Sequence, residues 1–149
     1  MTTEQACKAD IIYLAVPFTS YKTVAKQLTD WTGKIIVDLT NAFHVSRNEL
    51  GERLSSEVIA EAFTGALLVK GFNHLPAAKL GTSAASEGPQ VVFLSSNDAD
   101  ASAAVAKVAG QLGFAPVELG RLDQGGVPLH IVNGRPGGLI FQNLAKVAN

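Results

Sequence analysis

Ile11 to Val16 is a run of six apolar or aromatic residues, closed by Pro17. A strand that faces water on one side alternates polar and apolar residues, so an unbroken run predicts a strand covered on both faces, as in a parallel sheet. Comparable runs recur along the chain. They place strands at Ile11–Val16, Lys34–Leu39, Leu67–Gly71, Val91–Ser95 and Phe114–Leu119. Pro116 assigns the last of these to a sheet edge, since proline lacks an amide donor.

Helical periodicities separate the runs. Phe18, Tyr21, Val24, Ala25, Leu28 and Trp31 share one face of a helix, with Thr19 or Ser20 able to cap its start and Gly33 suited to its exit. Val58, Ile59, Ala62 and Phe63 mark a short helix over Glu57–Phe63. Asn97-Asp98 opens a longer one with Ala101, Ala104, Val105, Val108 and Leu112 on its apolar face, ended by Gly113. Ile140, Leu144 and Val147 predict a last helix over Leu139–Val147. Strands alternating with helices predict an α/β fold: one domain over residues 1–149, with a mainly parallel sheet of four or five strands flanked by helices.

Composition removes several function classes. Net charge is −1 and no basic run is present, which gives no support to nucleic-acid binding or to an anionic membrane surface. No apolar run approaches the roughly 20 residues of a membrane span. The single Cys7 excludes an internal disulfide and suits a cytoplasmic setting; it has no visible catalytic partner. The three histidines lack metal-ligand spacing, and no G-x-S-x-G elbow is present.

The chemistry gathers at strand ends. Ligands in open parallel sheets bind beyond the carboxyl ends of the strands. The first run ends at Ala15-Val16-Pro17, the second at Asp38-Leu39-Thr40-Asn41, the third at Gly71-Phe72-Asn73-His74-Leu75-Pro76. A carboxamide both donates and accepts, so Asn41 and Asn73 are able to read a nicotinamide carboxamide or ribose hydroxyls in one cleft with Pro17. Asp38 is equally able to cap its own loop, and His74 is a candidate proton donor. His44 and His130 offer less.

These strand ends resemble the coenzyme F420-dependent NADP oxidoreductase family and its soluble relatives. Ala9-Asp10 through Pro17 is similar to the family's A-D-x-x-x-L-A-V-P strand. Gly33-Lys34-Ile35-Ile36-Val37-Asp38-Leu39-Thr40-Asn41 is similar to G-K-x-V-V-D-x-T-N, and Val69-Lys70-Gly71-Phe72-Asn73-His74-Leu75-Pro76-Ala77 to V-K-A-F-N-T-x-x-A. Gly113 to Gly120, with Gly125-Gly126 and Gly137-Gly138-Leu139, resembles the closing segment of the soluble relatives. The resemblance implies a Rossmann-like domain and NADP as cofactor. It also implies hydride transfer to a deazaflavin or flavin-type second cofactor or another acceptor. Ala15, Val16, Pro17 and Asn41 would line the dinucleotide, and Asn73, His74 and Leu75 the nicotinamide side.

One departure matters. None of the fourteen glycines forms the G-x-G-x-x-G turn that cradles a pyrophosphate at a helix N-terminus. The chain corresponds to the C-terminal three-quarters of the family domain, an incomplete Rossmann-like unit. Weak or absent NADP binding follows as an expectation. The alternative is a non-catalytic α/β remnant that acts through association. On either reading a homo-oligomer is expected, through the Ile11–Val16 edge or the helix beside it, around Tyr21, Val24 and Trp31.

Overall fold

The structure, a computed structural model, describes residues 2–80, 88–132 and 135–136. Five strands form one sheet in chain order: β1 (Ile11–Leu14), β2 (Ile35–Asp38), β3 (Leu67–Gly71), β4 (Val91–Ser96) and β5 (Ala115–Glu118). β1–β2, β2–β3 and β4–β5 pair in parallel. β3–β4 is antiparallel, with Val69 opposite Ser96 and Gly71 opposite Leu94, so the sheet is mostly rather than wholly parallel. A parallel neighbour needs a crossover of a dozen or more residues, usually a helix. Between β3 and β4 the described residues supply only the four-residue helix Ala77–Leu80. Pro116 lies on β5 at the sheet edge, where its missing donor costs no ladder bond.

The helices in chain order are α1 (Thr3–Ala6), α2 (Tyr21–Ala25), α3 (Arg47–Leu50), α4 (Ser55–Ala62), α5 (Ala77–Leu80) and α6 (Ala99–Gln111). α6 begins where Asp98 accepts from the Ala101 amide at 2.8 Å, the N-cap expected from the sequence. The helix after β1 is shorter than its periodicity suggests. A 3-10 turn at Phe18–Ser20 runs into α2, and neither Thr19 nor Ser20 caps it by side chain. Ser20 is already helical (φ −99°, ψ −7°), so its hydroxyl cannot take the capping geometry. Trp31 lies beyond α2, buried edge-on against Phe63 and donating Nε1–H to the Ala25 carbonyl.

The two sheet faces carry two cores. Ile12, Leu14, Ile36 and Leu68 pack with Tyr21, Trp31, Ile59 and Phe63 on the α2–α4 side. Val37, Val69, Val92 and Leu94 pack with Ala101, Val105 and Ala109 of α6 on the other. β1 departs from the sequence expectation here. Its burial alternates, and Tyr13 is 37% exposed because α6 lies over β3–β5 and stops short of the β1 edge. The strand also stops at Leu14, two residues before the apolar run ends. Two short strands, β6 (Ile131–Val132) and β7 (Arg135–Pro136), form a separate antiparallel pair. The expected helix at 139–147 lies outside the described residues.

Candidate functional site

Leu14, Asp38 and Lys70 form one row across β1, β2 and β3. Pro17, Asn41 and Asn73 each stand three residues past that row. The register brings the ends of β1, β2 and β3 out side by side at the carboxyl edge. Asn41 and Asn73 meet there. Asn73 Nδ2 donates to Asn41 Oδ1 at 2.8 Å and to the Leu129 carbonyl at 2.7 Å, while Asn41 Nδ2 donates to the Asn73 carbonyl at 3.1 Å. Asn73 Oδ1 is buried and accepts nothing. Ala15 and Pro17 are exposed at the same edge, and Val16 packs toward the α2–α4 core. Leu75 is buried in the α6-side core. His74 is buried with its ring 5.2 Å from that of Phe93, and burial pushes its pKa down, so the ring is neutral. A neutral, enclosed imidazole is a poor proton donor to a ligand at the edge.

The turn that presents Asn73 is built with local strain. Phe72 has φ +62°, in the left-handed region, at a cost of roughly 1–2 kcal/mol for a bulky residue. Its ring is edge-on to Tyr13 at 5.7 Å and to Phe114 at 5.6 Å. Each such pair contributes about 0.5–1.5 kcal/mol, enough to offset the backbone cost. Gly71 precedes it because a Cβ there would stand 2.5 Å from Leu94 Cδ2.

Beneath the asparagines lies a polar cluster that the sequence did not reveal as one. Lys70 Nζ donates to Asp38 Oδ2 at 3.1 Å and to the Thr40 carbonyl, and both charged side chains are fully buried. Asp38 does cap its own loop, as the sequence allowed: Oδ1 accepts from the Thr40 amide at 2.8 Å and from its hydroxyl at 2.6 Å. Burial holds the Lys70 pKa below its ordinary value, against the opposing pull of Asp38. The segment after β5 closes over this face. Leu122, Leu129 and His130 are buried, and the Ile131 carbonyl accepts from the Ala42 amide at 3.0 Å. His130 Nδ1 lies 3.2 Å from Ser55 Oγ and 3.5 Å from Ser56 Oγ. Burial first, and Lys70 second, lower the His130 pKa to about 4. Aligning the strand ends by register was the signal that could have found the Asp38–Lys70 pair. No local pattern points to His130, which is 60 residues from Lys70 in the chain.

The described residues hold no cluster of His, Cys, Asp or Glu able to bind a metal. Cys7 is buried, and burial pushes its thiol pKa up, away from the thiolate a nucleophile needs. A separate cavity of about 200 Å³, lined by Phe18, Thr19, Lys22, Glu49, Leu50 and Val58 among others, includes neither asparagine in its wall. No described helix is long and apolar enough to cross a membrane.

Comparison with known proteins agrees with the resemblance of the motifs. The sequence model of a family described as NADP oxidoreductase, coenzyme F420-dependent, matches residues 1–42. The metalloreductase STEAP2 of Mus musculus is 35% identical over 117 residues, which cover 77% of this chain. The chain spans only 23% of that relative's length. Among solved structures, the Sinorhizobium meliloti protein SMa0349 is similar at 40% identity with a TM-score of 0.81, over 95% of this chain and 70% of that one. A candidate F420-dependent NADP-reductase from Arthrobacter sp. FB24 is similar at 27% identity with a TM-score of 0.64, over 83% and 60%.

Proposed function

We propose, from the match of residues 1–42 to the coenzyme F420-dependent NADP oxidoreductase family and the likeness to a candidate reductase of that kind, that this chain carries the nicotinamide-facing wall of a reductase working between NADP(H) and a deazaflavin, a flavin or another hydride acceptor. The observation that carries this reading is the Asn41–Asn73 pair at the carboxyl edge, with Asn73 Oδ1 buried and lacking a donor. A buried acceptor left unpaired costs about 1–3 kcal/mol, and an amide N–H of a bound carboxamide is the donor that would satisfy it. When bound, the dinucleotide supplies or takes up the hydride. The chain's own work is placement. Asn41 and Asn73 fix the carboxamide, exposed Ala15 and Pro17 offer an apolar wall, and buried His74 and Leu75 support the turn from beneath. No side chain is required as acid or base.

The phosphate end is a different matter. The sequence has no G-x-G-x-x-G turn. Losing two or three charge-assisted hydrogen bonds, at about 1.5–3 kcal/mol each, weakens a dinucleotide by orders of magnitude. Calorimetric titration with NADPH tests this. We expect a dissociation constant weaker than about 0.1 mM, worth roughly 5 kcal/mol. A micromolar constant would mean that other residues of the chain supply the phosphate contacts.

A second reading, action through association, is supported by β1. It is paired on one side only among the described residues and carries the exposed Tyr13. Tyr21 and Trp31 do not add to that surface, being buried in the chain's own core. A cytoplasmic setting suits the single Cys7; cell fractionation is its check.

A further inference from the structure

We propose that Lys70 is a positioning residue whose ammonium holds the Thr40–Asn41 peptide so that Asn41 faces Asn73. The inference rests on the reading of the two asparagines as the ligand wall. Asp38 and Lys70 are direct neighbours in the β2–β3 register, so their side chains leave the same face of the sheet. Thr40 is then held from both sides. Its amide and hydroxyl donate to Asp38 Oδ1, and its carbonyl accepts from Lys70. That carbonyl belongs to the peptide bond leading into Asn41. With both flanks fixed, the Asn41 side chain reaches the Asn73 carbonyl and receives Asn73 Nδ2.

Stability alone does not account for the pair. Two charges with no exposed side-chain surface bear a desolvation penalty that their attraction barely repays, and apolar residues of like volume often serve a fold as well or better. Buried ionic groups do fix one arrangement among several in some proteins, through directional bonds that apolar groups cannot make. Here those bonds end on one loop, and the loop carries half of the asparagine pair. Ser56 Oγ, 3.5 Å from Asp38 Oδ2, and His130, 3.5 Å from Ser56 Oγ, extend the same cluster to the segment that supplies Leu129.

The test replaces both charges at once, Asp38→Leu with Lys70→Met, which leaves no unpaired charge. The readout is the side-chain amide signals of Asn41 and Asn73 in a proton–nitrogen NMR spectrum, assigned with Asn73→Asp. It needs no nucleotide, so its failure is distinct from failure of the cofactor reading. We expect the exchange of both carboxamides to quicken by about tenfold or more while Val37 and Val69 backbone amides keep their protection. Unmoved asparagine signals, or an equal loss of protection throughout the sheet, would overturn the proposal. If the double variant does not fold, Lys70→Gln removes the ammonium while keeping the Thr40 bonds to Asp38. It should quicken Asn41 exchange by about threefold, and an unchanged rate would again overturn the proposal.

Discussion

Asn73 Nδ2 donates to Asn41 Oδ1 at 2.8 Å, and Asn41 Nδ2 returns a bond to the Asn73 carbonyl at 3.1 Å. The bonds join the ends of β2 and β3 beyond the last paired row. Asn73→Ala leaves Asn41 Oδ1 and the Leu129 carbonyl without this donor. We expect a loss of about 2–3 kcal/mol by chemical denaturation. A loss under about 0.5 kcal/mol would show that these bonds do not form in solution.

His130 gives the molecule an acid-sensitive point. Its pKa falls from an ordinary 6.5 to about 4 in the fold, because of burial and then Lys70. Between those values the unfolded chain binds the extra proton. Stability is therefore full above about pH 6.5 and is lost as pH falls toward 4, by about 3 kcal/mol. His74, lowered by burial, acts in the same direction. Denaturation of the wild type and of His130→Gln at pH 7 and pH 4.5 isolates the effect, since the carboxylates are common to both. The variant should lose clearly less stability on acidification; parallel losses would contradict the assignment.

Gly126 sits where the segment after β5 crosses β4. A Cβ there would stand 2.0 Å from Ser95 Oγ and 2.7 Å from Ser95 Cβ. Gly126→Ala should cost about 1–3 kcal/mol through overpacking. Ser95→Gly in the same chain should recover part of it, whereas additive losses in the double variant would place the strain elsewhere.

Much of this was legible in the sequence, for reasons that differ by element. The five strands lie where the apolar runs put them, shortened by a residue or two at the ends of β1, β2 and β5, because burial drives both the run and the strand. The sequence marks Asn41 and Asn73 as strand-end carboxamides, and the parallel register of β2 and β3 brings them together. Other features depend on distant parts of the chain. Strand direction is not encoded in an apolar run, so the antiparallel β4 was not visible. Tyr13 is exposed because α6 does not reach it, which the residues of β1 cannot report. Lys70 reads as a strand residue until Asp38 is set beside it.

β1 is the sheet edge through which association is expected. No described strand pairs with its outer side, and Tyr13 is 37% exposed. We expect a homodimer or larger oligomer through this edge, burying upwards of about 1,000 Å² in total. Sedimentation velocity at micromolar concentration should show it, and Tyr13→Lys should shift the distribution to monomer. A wild-type monomer with β1 amides exchanging freely would contradict the expectation.

Asn41 and Asn73 are proposed to face the nicotinamide. NMR titration of the chain with NADPH and, separately, with reduced nicotinamide mononucleotide tests that placement most directly, because the second ligand keeps the nicotinamide and discards the adenylate half. Both ligands should shift the Asn41 and Asn73 side-chain amides, in fast exchange and at concentrations near 1 mM, where binding is worth about 4 kcal/mol. Shifts confined to other residues, or none from either ligand at that concentration, would contradict it.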